Sequence, residues 1–171
     1  MQYTHVEHGF APIYNSESKI LILGSMPSVQ SRKNGFYYGN LQNRFWRVLA
    51  ALLSCPVPDT VEEKTAMLLE HRIALWDVIS SCDIAGSSDA SIKNVIPADL
   101  QSVLNESDIS AIYANGKTAE KIYRKYQQPA TGRDIVLLPS TSAANASWSL
   151  QRLISRWREL ISTDFPCFPL F

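Results

Sequence analysis

The sequence predicts an α/β fold, a three-layer α/β/α sandwich around a central, mainly parallel sheet of about four strands. Short apolar segments alternate with segments of helical apolar spacing, as in chains that place helices on both faces of a parallel sheet. Polar segments rich in small residues follow the predicted strands. The length of 171 residues fits one domain covering residues 1–171.

The first elements follow from the order of apolar and polar residues. Residues 1–18 are predicted to be an irregular lead-in whose apolar side chains pack across the sheet edge (Phe10, Pro12, Ile13 and Tyr14). The first strand is predicted at 19–24, because a short apolar run ends there in a glycine. Residues 44–53 have the apolar spacing of an amphipathic helix, with Asn43 or Asn40 available as its N-cap.

The remaining chain gives further strands and helices by the same criteria. The predicted elements are a helix at 62–70, a strand at 72–79 that could bend into a helical turn, a helix at 97–104, a strand at 109–114, a helix at 117–126, a strand at 134–138 and a helix at 148–161. Residues 80–94 are polar and serine-rich, which predicts a long functional or mobile loop. The apolar tail at 165–171 is expected to pack against the body, because an exposed patch of that kind would be sticky.

Composition excludes several classes of protein. No apolar run is long enough for a membrane-spanning helix, and the first residues lack the pattern of a signal peptide, so a cytoplasmic protein without membrane contact is expected. The three cysteines are scattered without CxxC spacing, which argues against a metal centre, a cluster or a disulfide framework. A formal net charge of zero argues against a protein that coats nucleic acid, although it permits a local basic face.

The segments that follow the predicted strands are expected to form one site. The carboxyl ends of parallel strands meet at one edge of a sheet, where open α/β folds bind ligands. The segments at that edge would be Gly24–Pro27, Trp76–Asp77, Asn115–Gly116 and Pro139–Ser142. The Gly24 turn has neither the GxGxxG pattern of a dinucleotide site nor the GxxxxGK[ST] pattern of a P-loop.

Six motifs in consistent order resemble the uracil-DNA glycosylase superfamily, and more narrowly its deoxyinosine (hypoxanthine) branch. They are Leu-Gly-Ser-Met-Pro-Ser-Val at 23–29, Tyr-Tyr at 37–38, Asn-Arg-Phe-Trp at 43–46, Ala-Leu-Trp-Asp-Val at 74–78, Asn-Gly at 115–116 and Leu-Pro-Ser-Thr-Ser-Ala-Ala at 138–144. The resemblance covers residues 20–158. It implies an enzyme without metal or cofactor that removes a deaminated base, chiefly hypoxanthine, from double- or single-stranded DNA, and that acts as a monomer.

The resemblance also implies roles for individual residues. The asparagine before Phe-Trp, Asn43, is the expected catalytic group. The expected base-binding residues are Gly24, Ser25, Met26, Pro27, Tyr37, Tyr38 and Asp77. The expected DNA-binding residues are Asn115, Lys117, Ser140, Thr141, Ser142 and Asn145.

Three positions depart from the pattern of the better-known uracil-specific enzymes. Met26 stands where those enzymes carry an Asp or Asn that helps the attacking water, and Leu138 stands in place of a His. Asp77 stands in place of the Asn that reads the base.

Hypoxanthine offers O6 as an acceptor and N1–H as a donor, which the backbone N–H groups of the Gly24 turn and the Asp77 carboxylate could satisfy. Tyr37, Tyr38 or Phe36 could stack on the base.

Several alternatives stay open at this stage. Asn43 could be only a helix cap, and Asp77 could only cap a turn or pair with an arginine. Asn145 or Trp148 could fill the gap left by the extruded base, although Trp148, like Phe45 and Trp46, fits the core better. The sequence assigns no role to the histidines His5, His8 and His71.

Alternatives for the function as a whole also stay open. The protein could prefer uracil or mismatches, or it could be a nucleic-acid or nucleotide-binding module without catalysis. No lysine nucleophile stands out in the loops, Lys33 being the nearest, which favours simple hydrolysis over strand cleavage.

Basic residues in or near the rim loops could form a binding face for DNA (Arg32, Lys33, Arg44, Lys117, Arg152 and Arg156).

Overall fold

The structure is a computed structural model that describes residues 2–162. Its elements are, in chain order, β1 (Thr4–Glu7), β2 (Ile20–Gly24), α1 (Val29–Asn34), α2 (Phe45–Leu52), α3 (Val61–Glu70), β3 (Ile73–Asp77), β4 (Ile79–Ile84), a 3₁₀ turn (Asp89–Ser91), β5 (Lys93–Pro97), α4 (Leu100–Asn105), β6 (Ala111–Asn115), α5 (Lys117–Ile122), a π-helical turn (Tyr123–Gln127), α6 (Gln128–Thr131), β7 (Val136–Leu138), α7 (Leu150–Trp157) and α8 (Glu159–Ser162).

The central sheet has four parallel strands in the order β3-β2-β6-β7. β2 is an inner strand, and all of its residues are buried. Successive residues of a strand point to opposite faces, so Ile20 and Ile22 enter one apolar cluster while Leu21 and Leu23 enter the other. A strand covered on both faces needs a continuous apolar run, which is what residues 20–23 provide.

Helices cover both faces of this sheet, as the sequence predicts. One face packs against α2, α3 and α7 through large side chains such as Phe45, Leu68 and Trp157. The other face packs against α4, α5 and the π-helical turn, with residues such as Val103, Ile122 and Tyr123. The predicted three-layer α/β/α sandwich around a parallel sheet of four strands is therefore confirmed.

A second sheet was not predicted. Strands β1, β4 and β5 form a three-stranded antiparallel sheet in the order β1-β4-β5. The predictions of an irregular lead-in at 1–18 and of a long loop at 80–94 are therefore wrong in part. Neither stretch has a strong strand pattern, because β1 is largely exposed and β4 contains two serines and an aspartate. Pairing with neighbouring strands overrides these weak local preferences.

Several element boundaries also differ from the predictions. Pro97 ends β5 instead of opening a helix, and α4 begins only at Leu100. The strand at 72–79 ends at Asp77, and Ile79 starts a new strand instead of a helical turn. The predicted last helix is divided into α7 and α8.

Two further expectations concern the ends of the chain and membranes. The predicted packing of the tail at 165–171 lies outside the described residues. Within residues 2–162, no helix is both long and apolar enough to cross a membrane.

Candidate active site

The carboxyl ends of the four parallel strands open into one cleft. Asn43 and all the base-binding and DNA-binding residues that the resemblance implies line this cleft. They arrive from five separate segments: the turn after β2, the loop before α2, the end of β3, the start of α5 and the loop after β7. The structure thus brings the predicted residues together, and it adds residues from the β4–β5 connection that the sequence did not indicate (Ser87, Ser88 and Asp89).

Gly24 at the end of β2 leaves room for the Asp77 carboxylate. Val78 N–H donates to the Gly24 carbonyl, which holds the ends of the two strands side by side. A Cβ atom at Gly24 would lie 2.3 Å from Asp77 Oδ1 and 2.9 Å from the Tyr38 hydroxyl oxygen. Any side chain here would displace one of these polar groups, so the glycine is required by space and not by its backbone angles.

His8, which the sequence left without a role, is the partner of Asp77. Its Nε2 lies 2.7 Å from Asp77 Oδ2, and both side chains are buried. Its Nδ1 lies 2.8 Å from the Phe10 carbonyl, which can only accept, so Nδ1 carries a proton. The short distance between Nε2 and Oδ2 requires a hydrogen bond, whichever of the two atoms donates. Oδ2 is therefore engaged in either protonation state, and Oδ1 is left beside Gly24 at the cleft.

Asn43 is both a helix cap and a member of the cleft. Phe45 N–H donates to Asn43 Oδ1 over 2.9 Å, and the Thr141 hydroxyl donates to the same oxygen over 2.8 Å. Because a backbone N–H only donates, these contacts fix which end of the amide is oxygen. Within residues 2–162 no protein acceptor is recorded for Asn43 Nδ2, and the residue lines the cleft. Arg44 is the N-cap residue of α2, so Asn43 lies one position before it and caps the helix only through the contact with Phe45 N–H, which leaves its amide N–H groups available for a ligand.

A chain of hydrogen bonds connects Asn43 to the opposite wall. Asn115 Nδ2 donates to Thr141 Oγ1 over 3.0 Å and to the Tyr38 hydroxyl over 3.1 Å, while its Oδ1 accepts from Thr141 N–H. Desolvation, followed by the negative charge of Asp77, raises the pKa of Tyr38 above its usual range, so its hydroxyl stays protonated. The network fixes Asn43 from a strand end and a loop that are far away in sequence.

The aromatic residues near the cleft differ in whether they line it or are buried beside it. Tyr38 lines the cleft and stacks on Phe45 with ring centroids 4.0 Å apart, so one of its faces is already covered. Tyr37 is buried and donates its hydroxyl to the Ala11 carbonyl, which makes it mainly a structural part of the wall. Phe36 stacks on Trp46 and is not a cleft residue. The expectation that Phe36 stacks on a base is therefore not supported, and Phe45 and Trp46 belong to the core as expected.

Arg44 holds the loop after β7, residues 139–148, in place. Its guanidinium donates to the carbonyls of Thr141, Ser142, Asn145 and Trp148. A guanidinium has five donors in a fixed fork, which suits several carbonyls of one loop. Its predicted place in a basic face for DNA is thus replaced by a structural role. Arg44 directly follows Asn43, so the same segment carries the amide and anchors the loop opposite it.

The other predicted basic residues are divided between structural contacts and the cleft rim. Arg32 donates to the Pro27 carbonyl, and Arg152 donates to the Ser147 carbonyl while lying over the Trp148 ring. Arg156 forms an ion pair with Glu159 but also lines the cleft. Lys117 is exposed at the cleft, whereas Lys33, the lysine considered nearest from sequence, is not a cleft residue.

A second carboxyl group lies at the cleft in Asp89. The Ser25 hydroxyl lies 3.1 Å from each of its oxygens. Desolvation raises the pKa of Asp89 above its usual range, and the charge of Asp77 adds to this, against hydrogen bonds from Ser25 and Thr118 that lower it. No local pattern singled out Asp89, because it follows strand β4 in the stretch at 80–94 that was predicted to be a loop.

No metal site is formed by the described residues. Across residues 2–162, no group of three or more His, Cys, Asp or Glu side chains is placed to hold a metal ion. Cys55 and Cys82 are free thiols that lie in the core or beside it.

Comparisons with known proteins identified a matching family and several similar chains. The family model described as the uracil DNA glycosylase superfamily matches residues 11–161. A hypoxanthine DNA glycosylase from Methanosarcina acetivorans is 35% identical over 153 residues, 86% of this chain and 93% of the relative. One from Methanosarcina barkeri is 31% identical over 159 residues, 90% of this chain and 96% of the relative. The solution NMR structure of a candidate uracil DNA glycosylase from Methanosarcina acetivorans is 29% identical, has a TM-score of 0.76, and covers 92% of this chain and 99% of its own.

Proposed function

Because the chain belongs to the uracil DNA glycosylase superfamily, we propose that it is a monofunctional DNA glycosylase that removes hypoxanthine from deoxyinosine. Base excision repair needs such an enzyme to hydrolyse the N-glycosidic bond and leave an abasic site. The target base must first leave the helix and enter the cleft, which costs least when it is poorly paired. The named relatives and the chemistry of the cleft both support this substrate.

The observation that carries the choice of base is that, among residues 2–162, Asp77 Oδ2 is bonded to His8 while Oδ1 has no hydrogen-bond partner. Hypoxanthine presents one N–H donor, N1–H, beside its O6 acceptor. Asp77 Oδ1 accepts N1–H, and backbone N–H groups of the Gly24–Ser28 turn donate to O6. Guanine adds a 2-amino group that a carboxylate would bind with its second oxygen, but His8 already occupies Oδ2. The pair therefore favours a base with one donor on this edge.

Asn43 acts as a donor in this proposal. Both hydrogen bonds that the structure records at its Oδ1 come from protein groups, so this oxygen is poorly placed to take a proton from water. Its Nδ2 can donate to the base as the glycosidic bond breaks and negative charge develops on the purine ring. Fixed donors aimed at developing charge are effective because they need no reorganisation during the reaction.

The reaction is balanced by water alone. The C1′–N9 bond breaks, and its electron pair stays with the base. Water supplies an oxygen to C1′ and a proton to the departing hypoxanthine. Lys117, an exposed residue at the cleft, contacts a DNA phosphate in this proposal and does not attack C1′. The strand consequently stays intact until the abasic site is treated with alkali.

The contacts with DNA come from the cleft rim. Ser140, Thr141, Ser142, Asn145 and Lys117 line the cleft, but Thr141 is buried with its N–H bonded to Asn115 and its hydroxyl to Asn43, and the Asn145 amide donates to the Ser140 carbonyl. In this proposal the Ser140 and Ser142 hydroxyls and the Lys117 ammonium group contact the DNA. Groups of this kind position a nucleic acid backbone without reading its sequence. We propose that the protein acts as a cytoplasmic monomer on both double- and single-stranded DNA.

An oligonucleotide assay tests this function. Strands with one deoxyinosine, deoxyuridine, deoxyxanthosine or deoxyguanosine are incubated with the protein and then treated with alkali. Cleavage after alkali, fastest for deoxyinosine, is the expected result. Cleavage chiefly at deoxyuridine would favour the uracil-preferring alternative, since N3–H of uracil also fits one acceptor oxygen. Binding without product would favour a module that lacks catalysis, and nicking before alkali would contradict monofunctional hydrolysis.

A further inference from the structure

The most exposed large apolar side chain among residues 2–162 has no role in the site described so far. Leu41 exposes 96% of its surface, whereas the next most exposed large apolar residue among residues 2–162, Ile96, exposes 57%. A single exposed leucine is not unusual by itself. Its place is informative, because its neighbours Asn40, Gln42 and Asn43 all line the cleft.

The turn Asn40–Asn43 holds Leu41 in a fixed position. Asn43 N–H donates to the Asn40 carbonyl and Gln42 N–H donates to Asn40 Oδ1, each over 2.9 Å. Just before the turn, Gly39 N–H donates to Ser31 Oγ. Just after it, the Asn43 side chain is bound by Thr141. The leucine is therefore presented at the tip of an anchored turn, with its side chain directed to solvent.

The residues considered from sequence for filling the gap in the DNA are engaged elsewhere. Asn145 Nδ2 donates to the Ser140 carbonyl, and the Asn145 carbonyl accepts from Arg44. Trp148 packs against the core, and Arg152 lies over its ring at 4.3 Å. Freeing either side chain would disrupt contacts that shape the loop at 139–148. Leu41 needs no such rearrangement.

We propose that Leu41 is the wedge that enters the base stack and fills the space left by the extruded nucleotide. This proposal rests on the proposed function, because a wedge is needed only where a base leaves the helix. Proteins that distort DNA insert leucine and similar apolar side chains between base steps. Leu41 precedes Asn43 by two residues, so their Cα atoms are at most about 7 Å apart. Insertion of the wedge and placement of the Asn43 amide at the extruded base are thereby coupled through one short turn.

Single-turnover kinetics with two matched variants test the wedge. Leu41→Ala removes the side chain, and Ile96→Ala removes an exposed apolar side chain of similar size whose sequence neighbours, unlike those of Leu41, do not line the cleft. Each protein is assayed on deoxyinosine in a duplex and on the same strand without its complement. Losing the burial of a leucine side chain should slow Leu41→Ala at least about tenfold on the duplex, with no more than about a twofold change on the single strand.

The other outcomes are equally informative. Ile96→Ala should match the wild type on both substrates, and Leu41→Phe should retain duplex activity because it supplies another apolar wedge. Equal loss on duplex and single strand, or no loss on the duplex, would overturn the proposal.

A binding measurement tests the wedge without catalysis. A duplex with a tetrahydrofuran abasic analogue already contains the gap. Leu41→Ala should lose at least about tenfold in affinity for it while binding to intact duplex is unchanged, since only the gapped DNA accepts the side chain. Equal affinity of the two proteins for the gapped duplex would overturn the wedge. Failure of the glycosylase function would instead appear as wild-type protein that forms no abasic product.

Discussion

His8 Nε2 lies 2.7 Å from Asp77 Oδ2, with both side chains buried at the end of β3. The pair joins two parts of the chain that are 69 residues apart. It connects the segment after strand β1 of the antiparallel sheet to the carboxyl edge of the parallel sheet. His8 thereby fixes the orientation of the carboxylate at the cleft, and within the described part of the chain the other carboxylate oxygen has no partner.

Replacing His8 should weaken the distinction between hypoxanthine and guanine. In His8→Ala, Oδ2 of Asp77 becomes free and can accept the 2-amino group of guanine. Loss of a hydrogen bond to a charged group also costs about 1.5–3 kcal/mol, so deoxyinosine turnover should fall about tenfold or more. Single-turnover rates on single strands with deoxyinosine or deoxyguanosine measure both effects without interference from base pairing.

His8→Gln is the control for this experiment, because its amide N–H can still reach Oδ2. It should keep most of the discrimination. His8→Ala with an unchanged ratio of the two rates, in protein that is folded by circular dichroism, would remove His8 from the base-reading role.

Gly24→Ala should impair the site by displacing Asp77. The added Cβ would meet Oδ1 at 2.3 Å and the Tyr38 oxygen at 2.9 Å, so the acceptor for the base must move. Deoxyinosine turnover should drop at least about tenfold, which corresponds to about 1.4 kcal/mol in the activation barrier. Gly39→Ala is a suitable comparison, since its Cβ would lie 3.0 Å from the end of the flexible Asn34 side chain and in ordinary van der Waals contact with Ser31. Equal rates for the two variants would contradict the packing argument.

The raised pKa of Asp89 predicts how the stability of the folded protein depends on pH. Its pKa in the folded state is raised from the ordinary value of 3.8, so ionisation opposes folding. The cost is absent below the ordinary pKa and is fully present above the raised one. Because Asp89 is an exposed residue, solvent screens much of this cost, so Asp89→Asn should increase the melting temperature only slightly relative to wild type, with a gain that grows as the pH rises from 3 to 7.

Asp83→Asn should behave in the opposite way. Hydrogen bonds from Asn94 and then His5 lower the pKa of Asp83, so its ionised form supports folding. The variant should lose stability at neutral pH, and the loss should diminish as the pH falls. Melting curves of the three proteins across this range provide the test. A gain for Asp89→Asn that does not change with pH would contradict the assigned pKa shift.

Lys117 should contribute one phosphate contact. Lys117→Ala is expected to weaken binding to duplex DNA and to reduce the slope of log affinity against log salt concentration by about one. Lys121→Ala, on the same helix but not a cleft residue, should leave the slope unchanged. Binding isotherms at several salt concentrations give the slope. If both variants had the wild-type slope, Lys117 would not be a phosphate contact.

The sequence predicted the central sheet and the segments that meet at its carboxyl edge because both depend on local patterns, whereas the roles of single residues such as Asn43 came from the resemblance to a family. The continuous apolar run at 20–23 predicts a strand buried on both faces, and the segments after parallel strands must share one edge. The antiparallel sheet was missed since its strands are polar and depend on pairing with one another. For the same reason His8 and Asp89, which enter the site from that sheet and its connections, gave no local signal.

The role of Asn43 could be predicted only as two competing interpretations. From sequence, an asparagine at the start of a helix is a cap, and a match to a motif makes it catalytic. The structure shows that the cap occupies Oδ1 and leaves Nδ2 at the cleft, so the two roles use different atoms of one amide. Such a division cannot be read from a pattern of residue types.

Release of free hypoxanthine by Asn43→Asp tests the central claim most directly. Aspartate keeps an acceptor for Phe45 N–H and the Thr141 hydroxyl and is as good a cap as asparagine, but it has no N–H donors. Asn43→Ala should lose about 1 kcal/mol of stability with the cap, whereas Asn43→Asp should melt close to wild type. Chromatography of the released base should show both variants slower by a factor on the order of a hundred, as for loss of one donor at developing charge. Wild-type release of hypoxanthine by Asn43→Asp would contradict the account, because Asn43 would then be only a helix cap.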